Sequence, residues 1–357
     1  MAGVIPASQA SPLYTSALLK KYDELNEIKV NNFFRSFFPA ELCRVRYPVL
    51  DVRRGTEKVA VDVIRGSQGT RLQLTKSSQK AFDPFYYKNY TDATEEDSYF
   101  RVFGSNSFNL NDMAELVNGV AVQNKANQDT IERAIELHCA TVMENGTCTS
   151  LRDGSIVDFK RQAGSIVDLG AGAYWTVGGT NPFTDLKAGG DWLRQKGKSS
   201  GFVINAVFGT SAWTAFRANT IVNTRLAQFN NKRDLLNPAQ LESTGAIYQG
   251  EIDCDSYVVR CWTYNEFYDD PTTGVSTPYM NPKKVYMVPE KPNFTLLYAA
   301  IPQVVAMGTD TSKLAVGQFI YKRFINEEMA YDRMYIESSP LPVPKAVDQM
   351  YTVQVVA

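Results

Sequence analysis

The sequence predicts an α+β protein, and three stretches carry that prediction. Phe202 to Phe208 is an unbroken apolar run of strand length, and a Gly209-Thr210-Ser211 turn leads from it into a helical pattern reaching Gln228. Residues 109–145 repeat apolar side chains at helical spacing. Residues 246–320 look β-rich, and the last stretch, from Val343, ends with Tyr351, Val353 and Val355 alternating as a strand does. The chain has 357 residues, 44% of them hydrophobic and 21% charged, which suits one large or two ordinary folded domains and excludes disorder as the main state.

In chain order, Ser16 to Ile28 reads as an amphipathic helix with Leu18, Leu19, Tyr22 and Leu25 on one stripe. Phe33, Phe34, Phe37 and Phe38 follow within six residues and require burial, either in the core or as an arm docking on the body or a neighbour. Alternation around Val59, Val61 and Val63, a Gly66-Ser67-Gln68-Gly69 turn, then Leu72 and Leu74, predict a hairpin over Lys58 to Lys76. Between Asp51 and Lys88 eight cations face four anions, a net of +4, and an acidic patch of Asp92, Glu95, Glu96 and Asp97 comes next. A basic hairpin beside an acidic patch suits head-to-tail association between copies, as well as an ordinary solvated face.

The 109–145 region reads as two helical pieces, one from near Asn109 or Asn111 and one from near Asp129, stopped by Asn145-Gly146. His138 falls on the inner stripe of the second piece and reads as a packed core histidine. Gly154-Ser155-Ile156-Val157-Asp158 recurs as Gly164-Ser165-Ile166-Val167-Asp168, which predicts two adjacent strands. Strands are also expected at Ser256 to Thr263, Lys284 to Val288 and Thr295 to Ile301, with a hairpin turn at Asp269 to Gly274.

Several function classes are excluded or disfavoured. Lys plus Arg is 37 and Asp plus Glu is 38, a net charge of −1, which argues against a dedicated nucleic-acid binder and permits close self-association. One histidine removes most acid/base and metal chemistry. Cys43, Cys139, Cys148, Cys254 and Cys261 lack CxxC spacing and read as reduced, mostly buried thiols. The start has no basic and apolar leader pattern, and no apolar run nears the ~18 residues of a membrane span, so a soluble, unsecreted protein without membrane contact is expected. Gly170-Ala171-Gly172 lacks the third glycine of a dinucleotide loop, and Gly197-Lys198-Ser199 lacks the first glycine of a phosphate loop. Asp253 with Asp255 and Asp269 with Asp270 read as turn carboxylates. No catalytic residue, metal site or cofactor is expected.

Five segments, in order, resemble the lambda-type major head proteins of tailed bacteriophages. Phe33 to Pro39 is similar to that family's Phe-rich "LFFR" stretch. Ile156-Val157-Asp158-Phe159 with Trp175 resembles its Val-Asp-x-Gly … Trp strand pair. Phe202 to Phe208, with Trp213 and Phe216, resembles Val-Asn-Ile-Ile-Val-Phe followed by Trp-x-x-Phe. Tyr264, Tyr268, Gly274 and Met287-Val288 form the fourth segment. Glu337-Ser338-Ser339-Pro340-Leu341, Asp348 and Val353-Gln354-Val355 form the last, similar to Gln-Ser-Ala-Pro-Leu … Val-Ser-Val-Gln. Phe159 and Gly209 depart from the pattern, standing where the family has glycine and aspartate.

The resemblance implies the Hong Kong 97-type capsid fold: an N-terminal arm (1–44), an extended β-hairpin loop (45–90), a peripheral domain with a long spine helix (91–185 and 321–357) and an axial domain (186–320). It implies a major capsid protein, not an enzyme. Copies would assemble as pentamers and hexamers into an icosahedral head around double-stranded DNA, without sequence-specific binding, and the shell would expand during maturation. Portal and scaffolding proteins would be partners, decoration proteins being common on such shells, and assembly would occur in the host cytoplasm before the chain resides in the virion. The expected subunit-contact residues are Phe33, Phe34, Phe37, Phe38, Arg53, Arg54, Lys58, Arg65, Arg71, Lys76, Asp92, Glu95, Glu96 and Asp97. An encapsulin-type compartment and a β-rich carbohydrate-active enzyme are the alternative readings.

Overall fold

The computed structural model describes residues 30, 32–52, 78–81, 83–94, 112–228, 236–241, 245–303, 313–326 and 331–357. The predicted helix at 16–28 and hairpin at 58–76 lie outside them. The described residues divide into two compact units: those within Tyr86–Ala134 and Ile301–Ser339, and those within Asn31–Phe85, Ile135–Ala300 and Pro340–Ala357.

The first unit is a three-stranded antiparallel sheet, ordered Ile320–Asn326, Tyr331–Ser338, Tyr87–Thr94. One face meets helix α1 (Asp112–Asn145), whose residues up to Ala134 belong to this unit. Asn89 Nδ2 donates to the Asn127 carbonyl at 3.2 Å, Asn127 Nδ2 to Thr91 Oγ1 at 2.7 Å, and the Tyr321 hydroxyl to Gln128 Oε1 at 2.9 Å. The period-two alternation of a strand then turns Lys88, Tyr90 and Asp92 to the opposite face. Directly across from them stand Glu337, Tyr335 and Arg333.

Helix α1 is one continuous helix of 34 residues, not two pieces. The asparagines just before the start expected near Asp129 have other work. Asn124 and Asn127 bond across to the sheet, through Met334 Sδ and Thr91 Oγ1, so neither caps a new helix. The C-terminal stop is as expected. Gly146 adopts φ +69°, and its N–H donates to the Val142 carbonyl at 2.8 Å.

The second unit is built on a seven-stranded mixed sheet. Its strands are β1 (Ile166–Asp168), β2 (Val203–Phe208), β3 (Leu236–Leu241), β4 (Ala246–Cys254), β5 (Tyr257–Tyr264), β6 (Lys284–Pro289) and β7 (Tyr351–Gln354). Their order is β1-β7-β6-β2-β5-β4-β3. Strand β2 is central and buried on both faces after Val203, which is why it reads as an unbroken apolar run without alternation. Helix α2 (Pro182–Gln195) and helices α3 (Thr210–Ala218) and α4 (Thr220–Gln228) complete the core. Trp175, Phe183, Phe208, Trp213 and Phe216 form an aromatic cluster there with ring centroids 5.1–6.2 Å apart.

The helical pattern after β2 is two helices, not one. Asn219 leaves helical geometry (ψ 131°), and its Oδ1 accepts the Ile221 N–H at 2.9 Å to start α4. Its Nδ2 donates to the Thr180 carbonyl at 3.0 Å, so one side chain both breaks the helix and ties it to the loop before α2. The domain boundary expected at 185/186 falls inside α2.

The two Gly-Ser-Ile-Val-Asp copies are not neighbouring strands. Ile156–Asp158 pairs with Thr147–Thr149, whereas β1 pairs with β7. Each copy ends on an aspartate that accepts the backbone N–H two residues on: Asp158 from Lys160 at 2.7 Å and Asp168 from Gly170 at 3.0 Å. Between them, Arg161 turns inward and pins the linker, which draws the two strands into different sheets.

Gly209, where the resembled pattern has aspartate, has a steric cause. A Cβ there would lie 2.5 Å from the Asn281 carbonyl oxygen and 2.6 Å from Pro282, both backbone atoms. Gly209→Ala is expected to destabilise the fold by about 1–3 kcal/mol through overpacking. This would appear as a lower urea midpoint at unchanged slope. Gly172→Ala, with nothing near its added carbon, is the silent control.

Candidate functional site

The residues expected at subunit contacts begin with the Phe-rich turn. Phe34–Phe37 is a short 3-10 helix, and Phe33, Phe34 and Phe38 are buried within the chain itself. Phe33 stacks on Tyr264 at 5.5 Å and meets Trp262 at 5.6 Å, Phe34 meets Tyr264 edge-on at 5.1 Å, and Phe38 stacks on Phe294 at 5.0 Å. These three side chains therefore anchor the turn to its own body. Phe37 is the half-buried member, edge-on to Phe33 at 5.4 Å.

One carboxylate fixes the turn. Glu136 on α1 is fully buried. Its Oε1 accepts the Phe34 N–H at 2.7 Å and the Tyr264 hydroxyl at 3.2 Å, and its Oε2 accepts the Arg35 N–H at 2.9 Å. The first N–H groups of a helical turn have no partner inside it, so this carboxyl supplies the missing acceptor. Burial pushes its carboxyl up to about 7, against the pull of the Arg35 and Phe34 N–H groups and the Tyr264 hydroxyl. His138, two residues on, is buried as expected and stacks on Phe85 at 4.4 Å. Burial lowers it to about 4, so it stays neutral at physiological pH.

After the turn, Ala40–Leu42 runs parallel to Phe294–Tyr298, which pairs on its other side with Pro340–Pro344. Leu42, Val45 and Tyr47 are then exposed, each about half accessible. Beyond them Val49–Val52 pairs antiparallel with Ser78–Ala81. The cations Arg53, Arg54, Lys58, Arg65, Arg71 and Lys76 belong to 53–77, outside the described residues, as do Glu95, Glu96 and Asp97.

Asp92 is described, and its carboxylate is already engaged. It forms a two-point ion pair with Arg333, whose guanidinium also lies 4.2 Å above the Tyr90 ring. Hydrogen bonding to Asp92 raises the Arg333 value further, keeping it charged. On the same face Tyr90 meets Tyr335 at 5.9 Å and Lys88 reaches Glu337 at 3.5 Å. Burial alone would raise Glu337, but hydrogen bonds and charge from Lys322 outweigh it and hold the carboxyl below its usual range.

The remaining carboxylates are committed elsewhere. Glu251, Asp253 and Asp255 line a cleft of about 320 Å³ with Phe202 and Tyr257. Arg260 bridges Glu251 at 2.9 Å and Glu290 at 2.7 Å, Lys187 holds Asp255 at 3.2 Å, and Asp270 accepts the Thr272 N–H in its turn. Among the described residues no group of His, Cys, Asp and Glu is arranged to hold a metal ion, and no helix is long and apolar enough to cross a membrane. Five free thiols are present, four of them buried.

The sequence reading missed Glu136 as an anchor and Arg161 as a partly buried clasp. A carboxylate on an otherwise apolar helix stripe was the available signal for the first. Nothing local marks the second.

The profile of the phage major capsid protein E family matches residues 24–355. No curated protein sequence matches the chain. Among solved structures, a prophage protein of E. coli CFT073 described as a capsid protein superposes with TM-score 0.61 at 16% identity, covering 95% of this chain and 97% of its own. The capsid of cyanophage P-SCSP1u gives TM-score 0.52 at 8% identity, with 93% and 90% covered. The capsid of a native GTA particle gives 0.51 at 8% identity, with 93% and 92% covered.

Phe34→Ala is expected to destabilise the isolated chain by about 3–5 kcal/mol, as loss of a fully buried ring does. Phe37→Ala should cost under about 2 kcal/mol in the same urea titration, because that ring is only half-buried.

Proposed function

Because the chain belongs to the phage major capsid protein E family, we propose that it assembles as pentamers and hexamers into the icosahedral head of a tailed phage. The family is one of structural shell proteins, not enzymes, and the fold is of the Hong Kong 97 type. The observation that carries the proposal is the match of the family profile across residues 24–355.

The domain roles follow the same reading. Residues 1–44 act as the arm and 45–90 as the extended loop, a role supported by the pairing of Val49–Val52 with Ser78–Ala81 as the base of a long excursion. Residues 91–185 and 321–357 act as the peripheral domain, with α1 as its spine, and 186–320 as the axial domain. The boundary between these last two is better taken just before α2 than within it.

Between copies, the basic 53–77 segment would lie against acidic residues of a neighbour. Arg333 already neutralises Asp92, so that role passes to Glu95, Glu96 and Asp97. Exposed Leu42, Val45 and Tyr47 beside the loop base suit burial in the same contact. Head-to-tail contacts of this kind close into rings under cyclic symmetry. Inside the shell, a near-neutral chain would hold double-stranded DNA without gripping its sequence. A portal admits the DNA, a scaffold attends assembly, and rotation of subunits in a bistable packing expands the shell. Assembly takes place in the host cytoplasm.

Sedimentation and negative-stain electron microscopy of the chain alone, over a concentration series, test the proposal. Shells, sheets, tubes or rings are expected; a compact monomer at every concentration overturns it. Reversing Arg53, Arg54 and Arg65 to glutamate should abolish assembly without changing the urea midpoint of the unassembled chain. Unchanged assembly would remove the basic segment from the contact.

A further inference from the structure

We propose that Glu136 is a proton-dependent latch on the Phe-rich turn: neutral, it holds the backbone of Phe34 and Arg35 against the long helix, and ionised, it loosens that hold. The latch is a property of the single chain and is read on the unassembled protein.

The geometry is that of a clasp. One fully buried carboxyl accepts two successive backbone N–H groups from a segment about a hundred residues earlier in sequence. The third contact, the Tyr264 hydroxyl at 3.2 Å from Oε1, can reverse direction. With a proton on Oε1, the carboxyl donates to Tyr264 while its two oxygens still accept the Phe34 and Arg35 N–H groups. No charge is then buried. Without that proton a full negative charge lies among Phe33, Phe34 and Tyr264, far from water.

The groups facing Glu136 set the sign. From the turn comes Arg35, whose guanidinium donates to the Tyr298 hydroxyl at 3.3 Å and exerts only the weakest of the downward pulls on Glu136. From β5 comes Tyr264, raised far above neutrality by burial and by Glu136. On α1 itself Cys139 is held as a neutral thiol by burial, and His138 is directed at Phe85 and uncharged above about pH 4. None of these changes charge between pH 5 and pH 8.

A carboxyl raised in the closed state binds its proton more tightly there than when solvated. Closure is therefore favoured below the ordinary value and weakens as pH rises through the closed-state value. With about 7 closed and 4.5 open, the opening equilibrium rises roughly seventyfold between pH 5 and pH 8.

Hydrogen exchange of the full chain, read by mass spectrometry and corrected for the intrinsic pH dependence of amide exchange, tests this. The peptide covering 33–38 should lose protection by tens of times between pH 5 and pH 8, while the β6 peptide keeps its own. In Glu136→Gln, protection of 33–38 should be flat over that range, whatever its level. Wild-type protection that stays flat overturns the latch even if the variant fails to fold. A variant with the wild-type slope overturns it too. Neither result bears on whether copies assemble.

Discussion

A partly buried guanidinium closes the long helix. Arg161 donates to the carbonyls of Met143 and Glu144 at 2.9 and 3.0 Å, two of the C-terminal carbonyls of α1 that no helical N–H can satisfy. The same group reaches the Ser165 carbonyl at 2.9 Å and Thr352 Oγ1 at 3.0 Å, and so ties β1 and β7 to the helix end. A cation at a helix C-terminus also complements the negative end of the helix dipole. The arrangement demands a particular neighbour. A Cβ on Gly146 would stand 2.6 Å from Arg161 Cβ, so the residue that ends the helix by its positive φ must also be the smallest for packing reasons. Burial lowers the Arg161 value to about 10, which still leaves it charged at any physiological pH.

The seven-stranded unit is assembled on that fixed point. Strand β2 lies at its middle, parallel to β5 and antiparallel to β6. Helix α2 approaches the sheet at Gly189 and Gly190, where any side chain would strike Met287 or Tyr257. Close approach there and at Gly209 gives the core its density, and the Phe-rich turn is added to it through Glu136 and the rings around Tyr264.

Much of this was legible in the sequence because burial leaves a periodic trace. The two-sided burial of β2 wrote an unbroken apolar run; Gly146 and Gly274 marked a stop and a turn by needing positive φ. What failed was the meaning of polar residues inside. A helix start was read near Asp129, where the helix in fact runs on, and Asn124 and Asn127 just before it are cross-links to a sheet. Asn219 looked like an ordinary helical residue and is a break. The repeated Gly-Ser-Ile-Val-Asp looked like a strand pair, yet its copies part because Arg161 between them is drawn to a helix end. In each case the deciding partner lies far along the chain, so no local pattern encodes it.

The strand Ala40–Leu42 carries a mechanical consequence. It is flanked by hydrogen bonds from Leu296 N–H to the Pro39 carbonyl at 2.9 Å and from Cys43 N–H to the Tyr298 carbonyl at 2.8 Å. Tension applied along the chain from residue 49 reaches the Phe-rich turn only through this strand. Tension directed along the strand axis first loads the bond from Ala300 N–H to the Val45 carbonyl at 3.2 Å, then slides the strand lengthwise against Phe294–Tyr298 and loads its bonds together. Displacement of the segment beyond residue 49 is thus absorbed as shear at a sheet edge, and the aromatic anchor behind it bears little force until those bonds fail as a group.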